Sequence, residues 1–499
     1  MEQYLLGYDI GSSSVKAALL NVDSGECVAE ATSPATEMEM IAEKPGWAEQ
    51  HPDLWWEHVK KSTAALLKKS EADPGSIRAI GISYQMHGLV AVDKNLEPVR
   101  PSIIWCDSRA APIGKKAFEE MGEDYCLSHF LNSPGNFTAS KLKWVMENEP
   151  EVYDRIYKIM LPGDYIAMKM TGRVTITESG LSEGILWNYK EEKPADELLS
   201  YFGISRELIP DQVRSFGDHG ELTQETAAKL GLRKGIKISY RAGDQPNNAF
   251  SLNVMHPGEA ATTAGTSGVI YGVSSSPGYD PKSRVNTFLH VNHTKEKPRY
   301  GVLLCVNGTG IANSWIRRLT GGESTLEYME INRLASESLP GSDGILVFPF
   351  GNGAERMFEN RDIGAHILGL NFNRHGRGHI YRAVQEGIAF SLAYGFDILR
   401  KTGVTPDKVK AGRANLFLSD VFREIFVNTT GSILEFYNTN GAAGAARGAG
   451  IGTGIYAGEE EAFKGLKMLR SFHPEKEKQN LYADLYNRWK TELTKFLNL

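Results

Sequence analysis

The sequence is poor in the residues that mark several common protein classes. Its four cysteines, Cys27, Cys106, Cys126 and Cys305, lie far apart and form no CxxC pair. That spacing argues against a thiolate zinc site and a disulfide framework, and it fits a reducing compartment. No apolar run approaches the roughly 18 residues of a membrane span. The opening MEQYLLGYDIG has neither the basic nor the apolar region of a secretory leader, so a cytoplasmic location is expected. Positive charge is not in excess: 55 basic and 61 acidic side chains leave a net −6, and the basic runs are only pairs such as Lys68-Lys69. Nucleic acid and anionic membranes both favour clustered Lys and Arg, so neither is expected as a partner. Also missing are a GxxxxGK[ST] loop and a GxGxxG after a strand, which disfavours P-loop and dinucleotide folds.

What is present describes a globular chain. At 499 residues, 41% hydrophobic and 23% charged, it exceeds the roughly 250–300 residues at which single cores stop growing, so two domains or more are expected. Tyr4–Asp9, Val15–Leu20 and Cys27–Thr32 read as three strands of a meander, divided by turns at 11–14 and 23–25. Asp53–Lys69 reads as a helix, with Trp55, Val59 and Leu66 on one face and Asp53 as its N-cap. Halfway along, Gly258–Thr263, a turn over Ala264–Gly268 and Val269–Val273 repeat the opening pattern. Helices follow near Ile311–Leu319 and over Gly378–Arg400, where Ile380, Val384, Ile388, Leu392, Phe396 and Leu399 form one stripe. Leu481–Leu497 closes the chain as a polar-faced helix. No disordered linker separates the halves, which are expected to meet across a cleft.

Several short segments carry residue types suited to chemistry. In Asp9–Ser14, an acid precedes Gly11, Ser12, Ser13 and Ser14. Backbone N–H groups of such a turn can converge on phosphate oxygens, and the carboxylate can hold hydrated Mg²⁺; an ordinary tight hairpin looks the same. The Ala264–Gly268 turn has the same two readings. Asp244 follows the apolar strand Ile236–Tyr240, where it can take a proton from a substrate hydroxyl or simply make a Gly-Asp turn. Tyr84–Gly88 brings amide, thioether and imidazole groups to a strand end, suited to a polyhydroxylated ligand or to the core. Trp105–Arg109 offers an aromatic, an acid and a base, or a surface ion pair. Gly441–Gly454 leaves room for a flat ring or for close helix packing.

In order along the chain, GYDIGSSSVKAALL, GWAEQHPDLWW, GISYQMHGLV, IIWCDSR, GDQPNNA, GEAATTAGTSGVIY and AVQEGIAFSLAYGFDIL resemble the FGGY family of carbohydrate kinases. The QMHG element is most like that of its xylulokinase branch. The resemblance runs end to end and implies an α/β fold: two ribonuclease-H-like domains of the actin-like ATPase superfamily, with ATP and sugar in the interdomain cleft. It implies a sugar-side domain over 1–252 and a nucleotide-side domain over 253–499. Asp9 then matches a Mg²⁺-linked acid, and Gly11, Ser12, Ser13 and Ser14 the first phosphate turn. Gly265, Thr266 and Ser267 match the second phosphate turn, Gly310 a further nucleotide-side glycine, and Gly412 and Asn415 the adenosine segment. Met86 and His87 match sugar contacts, Trp105, Asp107 and Arg109 a motif near the sugar, and Asp244 the catalytic base.

The sequence departs from the family in three places. Gln245 and Pro246 follow the base where xylulokinases usually have Asn-Ala, and Gln245 falls at a sugar-touching position. The adenosine Gly-Gly-Gly turn is Ala411-Gly412-Arg413, so that Arg413 stacks on or crowds the adenine. Gly-Glu-Arg-Thr-Pro is replaced by Gly353-Ala354-Glu355-Arg356-Met357. The resemblance implies transfer of the ATP γ-phosphoryl to a terminal sugar hydroxyl, with Asp244 ionised at an ordinary pKa near about 3.9. D-xylulose is the expected acceptor. Another ketose, an aldonate, a polyol, or a catalytically silent sugar binder are the alternatives, and retention of Asp9 and Asp244 argues against the last. Homodimers are usual in the family, though no segment here reads as an interface.

Overall fold

The computed structural model describes residues 2–321 and 326–498. The chain forms two compact units. One comprises Met1–Asn253, Phe288–Tyr300 and Thr439–Lys467, the other Val254–Thr287, Gly301–Asn438 and Met468–Leu499. None of the four cysteines is in a disulfide. Among the described residues, no helix is long and apolar enough to cross a membrane.

The first unit is built on a five-stranded sheet in the order Lys237–Gly243, Ile77–Tyr84, Tyr4–Ile10, Val15–Asn21, Cys27–Ser33. The first three strands in sequence pair antiparallel through tight turns, and the other two add parallel to the growing edge. Parallel neighbours need crossover connections, which the intervening helices supply. The helix Pro52–Ser70 buries Trp55, Val59 and Leu66 as their spacing predicts. Its start differs from expectation. Pro52 is the first helical residue and His51 the N-cap, because proline has no N–H to satisfy there. Asp53 instead accepts a hydrogen bond from the Tyr165 hydroxyl at 2.6 Å.

The small-residue run Gly441–Gly454 resolves in favour of close packing. Its helix, Gly441–Gly452, lies on the strands Tyr4–Ile10 and Ile77–Tyr84. A Cβ at Gly7 would stand 1.9 Å from the Ala442 carbonyl oxygen, and one at Gly81 would stand 1.9 Å from that of Ala445. Only glycine in the strands lets the backbones come this close. This packing draws Thr439–Lys467 into the first unit.

The second unit repeats the strand order. Tyr300–Val306, Gly268–Ser274, Ala260–Ala264, Lys408–Gly412 and Ile433–Tyr437 are successive neighbours, with Asn286–Leu289 and Met468–Phe472 at the edges. Again a first hairpin is antiparallel and two later strands add parallel. The helix Arg377–Lys401 is buried over more than the anticipated stripe: Tyr381 through Ala393 are buried without interruption. It packs against the helices Tyr328–Ser336, Asp420–Thr430 and Lys476–Leu497 and the strand Leu346–Phe350. The last of those helices buries Tyr482, Tyr486, Trp489 and Leu493 on one face.

Candidate active site

In the first unit, Asp244 opens the helix Asp244–Ser251 directly after the strand Lys237–Gly243. Pro246 falls in the first turn of that helix, where backbone N–H groups have no intrahelical acceptor, so the ring costs no hydrogen bond. The strand end is anchored by Arg241, which is buried with Asp164 at 3.2 Å and donates to Thr175 Oγ1 at 2.9 Å. Asp244 does not keep the ordinary pKa assumed for it. Burial first, and the nearby Asp9 carboxylate second, push it up to about 7, while hydrogen bonds from the Gln245 backbone and side chain pull the other way.

Asp9 stands near the end of the first strand, and its Oδ1 accepts from Ser83 Oγ at 3.1 Å. A Cβ at Gly441 would lie 2.7 Å from Asp9 Oδ2, so the glycine that opens the small-residue helix makes room for this carboxylate. Burial raises the Asp9 pKa as well, and Lys16 opposes that. Mg²⁺ fits here as a nucleotide-borne ion, since it takes one or two carboxylates beside substrate phosphates. Among the described residues, no group of three or more acidic, His or Cys side chains could hold a metal by itself.

The expected sugar-side residues gather around the same strand ends. Met86 is buried and His87 adopts a positive φ of 60°. His87 Nδ1 donates to the Glu183 carbonyl at 2.9 Å, and its ring stands edge-on to Phe137, with centroids 4.7 Å apart. Gln85 is 1% exposed, yet neither end of its amide has a hydrogen-bond partner among the described residues, which suits a ligand bearing several hydroxyls. Trp105 is 51% exposed, and its Nε1 donates to Ser12 Oγ at 3.2 Å. Asp107 is differently placed. It is fully buried, accepting from Ala48 N at 2.7 Å and from Arg109 Nε and Nη2 at 2.9 and 2.7 Å. The Arg109 guanidinium lies 3.7 Å from the Trp47 ring centroid. Asp107 and Arg109 thus form a buried ion pair bracing the loop that carries Trp105.

Two residues the sequence did not single out complete this region. Lys141 is buried in the helix Thr138–Asn148 and donates from Nζ to the carbonyls of His87 and Ile104, both at 2.9 Å. It ties the QMHG turn to the loop carrying Trp105, and burial pushes its pKa down to about 7. Glu183 is buried beneath Gly243, where a Cβ would stand 2.3 Å from its Oε2. Burial first and Asp244 second hold its pKa well above the carboxylate range.

The turn Gly11–Ser14 closes through Gly11 N donating to Ser14 O at 3.0 Å. The Ser12 and Ser13 carbonyls accept from Gln50 Nε2 and Met38 N. In a trans peptide the carbonyl and the following N–H point opposite ways, so these bonds turn the amide side of the loop outward.

In the second unit, Gly310 N donates to Gly265 O at 2.8 Å and Ile311 N to Thr266 O at 3.1 Å. A Cβ at Gly310 would sit 2.1 Å from Gly265 O, so this approach needs glycine. Gly265, Thr266, Gly310 and Asn415 line one cavity of about 440 Å³. Asn415 has a φ of 57°, a conformation asparagine tolerates better than most residues. Ser267, Gly412 and Arg413 are not among the residues lining the cavity, and Arg413 is exposed. Lining it instead is Asn313, which is 4% exposed and whose Oδ1 has no hydrogen-bond partner among the described residues. Glu355, from the altered Gly353–Met357 element, is buried and accepts from Asn307 N at 2.9 Å and Gly308 N at 3.2 Å. It buttresses the segment leading into Gly310, and burial pushes its pKa up to about 7.

Comparison with known proteins gives this arrangement a context. Residues 4–251 match the N-terminal domain of the FGGY family of carbohydrate kinases, and residues 260–451 match its C-terminal domain. A xylulose kinase of Bacillus subtilis is 29% identical over 99% of this chain and 97% of its own length. Among solved structures, a ligand-bound xylulose kinase from Lactobacillus acidophilus matches 99% of this chain and 98% of its own, with a TM-score of 0.89 and 23% identity. A gluconate kinase from the same organism matches 100% and 99%, with a TM-score of 0.88 and 23% identity. The repeated sheet order and the family matches spanning both units converge on one assignment: the chain belongs to the FGGY family of carbohydrate kinases, with its two-domain α/β fold, and is a sugar kinase.

Proposed function

We propose that the chain transfers the γ-phosphoryl of ATP to a terminal hydroxyl of a ketose, with D-xylulose as the first candidate. The observation carrying most weight is Asp244, raised toward neutrality beside Asp9 and directly after Gly243, where a Cβ would stand 2.6 Å from Met86 Cγ. The name of the full-length Bacillus subtilis relative supports D-xylulose in particular. In this reading the first unit is the sugar side and the second the nucleotide side.

Asp244 orients the acceptor hydroxyl and takes its proton; a pKa near 7 suits a base working at neutral pH better than an ordinary carboxylate would. Met86, His87, Gln85, Trp105 and Gln245 contact the sugar, while Asp107 acts through Arg109 on the loop. The turns Gly11–Ser14 and Gly265–Ser267 are the phosphate-binding segments. Nucleotide-bound Mg²⁺, held through Asp9, neutralises phosphate charge. The cavity lined by Gly310, Asn313 and Asn415 takes the nucleoside.

A second acceptor class, an aldonate or polyol, is favoured by Gln245, whose side chain meets the Asp244 carboxylate itself. The deciding measurement is sugar-dependent ADP release across ketopentoses, hexonates and polyols, with Asp244→Asn as control. Turnover confined to D-xylulose and abolished in the variant is the expected result. Turnover on another acceptor moves the specificity, and ATP hydrolysis indifferent to every sugar and to the variant overturns the proposal.

A further inference from the structure

Asn332 lies on the helix Tyr328–Ser336 and lines the cavity of the second unit. The orientation of its amide follows from a relay that begins at a backbone group. Ser419 caps the helix Asp420–Thr430, its Oγ accepting from Phe422 N at 3.3 Å. A backbone N–H can only donate, so this bond leaves the hydroxyl proton of Ser419 available to another acceptor. It goes to Gln385 Oε1 at 2.7 Å. That bond fixes the Gln385 amide with Nε2 as its free end, and Nε2 donates to Asn332 Oδ1 at 3.0 Å. Gln385 and Ser419 are 0% and 1% exposed, so water does not compete to reverse the chain of bonds. The carbonyl end of Asn332 is therefore occupied. Its Nδ2, which has no hydrogen-bond partner among the described residues, is presented as a donor.

We propose that Asn332 reads the nucleobase, its Nδ2 donating to a ring nitrogen of the purine of the nucleotide bound in this cavity. Unglycosylated purine ring nitrogens such as adenine N7 are acceptors, so a donor locked in place is their complement. A helix cap thus sets the polarity of a base-recognition group two side chains away. The inference rests on the reading of this cavity as the nucleoside site.

The test is equilibrium titration of the purified protein with ADP and, separately, with inorganic tripolyphosphate. Asn332→Asp is nearly isosteric, keeps Oδ1 for Gln385 and replaces the donor by an oxygen. Its ADP affinity should fall about tenfold or more, the range for leaving a buried acceptor without its donor. Asn332→Ala, which adds no charge, should lose several-fold. Tripolyphosphate affinity should be unchanged in both variants, because it carries no base. Unchanged ADP affinity in both variants overturns the inference. Equal losses for ADP and tripolyphosphate also overturn it, since they would mark a general or charge effect. A wild-type protein that binds tripolyphosphate but not ADP removes the nucleoside reading of the cavity itself. Wild-type ADP binding without turnover on any sugar leaves the inference standing and counts only against the acceptor.

Discussion

Asp244 and Lys141 are the residues whose protonation bears most directly on the proposed sugar site. With its pKa raised to about 7, Asp244 is ionised, and competent as a base, only above that pH. The kcat/KM for the sugar should therefore be flat above about pH 7 and fall tenfold per unit below it, as read from initial rates across a pH series. Asp244→Asn should lower kcat by about 10²–10⁴-fold, the range for losing a general base, with little change in the KM for ATP. Lys141 behaves in the opposite sense. Its pKa falls from 10.5 unfolded to about 7 folded, so the folded chain releases this proton first as pH rises. Stability should then increase from pH 7 toward pH 10 relative to Lys141→Met, in which that gain is absent; parallel urea unfolding curves would show it. The same variant unties His87 from Ile104 and should raise the KM for the sugar. Asp9, Asp244, Met86 and His87 stand out in the sequence because glycines, strand ends and motif order mark them locally. Lys141 and Glu183 do not: their partners, at His87, Ile104 and Gly243, are distant in sequence, and a buried lysine inside a helix looks like a solvated one. The Asp107–Arg109 pair was legible as one of two readings of Trp105–Arg109, but its burial was not, since nothing local announces that Ala48 also takes up the carboxylate.

At the scale of elements, the helix Gly441–Gly452 and the glycines beneath it form one fitted contact. Gly81→Ala would drive a methyl group into the Ala445 carbonyl, and overpacking of this kind costs about 1–3 kcal/mol. A lower melting temperature with the secondary structure preserved is expected by circular dichroism; an unchanged melting temperature would mean that the helix can move away. Strand and helix spans were largely legible, because the opening meander alternates with unmistakable turns. The long helix Arg377–Lys401 was read as a single stripe because periodicity reports only its most apolar face. Its Ala, Gly and Ser residues are buried as well, and they carry no hydropathy signal strong enough to show it. Of the lining of the second unit's cavity, Gly265, Thr266, Gly310 and Asn415 had been singled out in the sequence, whereas Asn313 and Asn332 had not, because they lie on helices outside any glycine-rich turn.

At the scale of the molecule, the two units interleave in sequence. A fragment spanning residues 1–253 lacks the helix that covers Gly7 and Gly81 and should give no cooperative thermal transition. A sharp transition at the full-length temperature would show that the sheet is stable without that cover. The half-chain repeat was legible from two similar turns. The interleaving was not, because the sequence of Gly441–Gly454 states that it packs closely but not on which sheet.

The late position of that helix also imposes an order on biosynthesis. The five strands of the first unit leave the ribosome well before Gly441–Gly452 does, by about 200 residues, or roughly ten to forty seconds at 5–20 residues per second. Throughout that interval a glycine-lined strip of the nascent sheet stands uncovered. The cell must therefore either shield this strip or tolerate it until nearly the whole message has been translated.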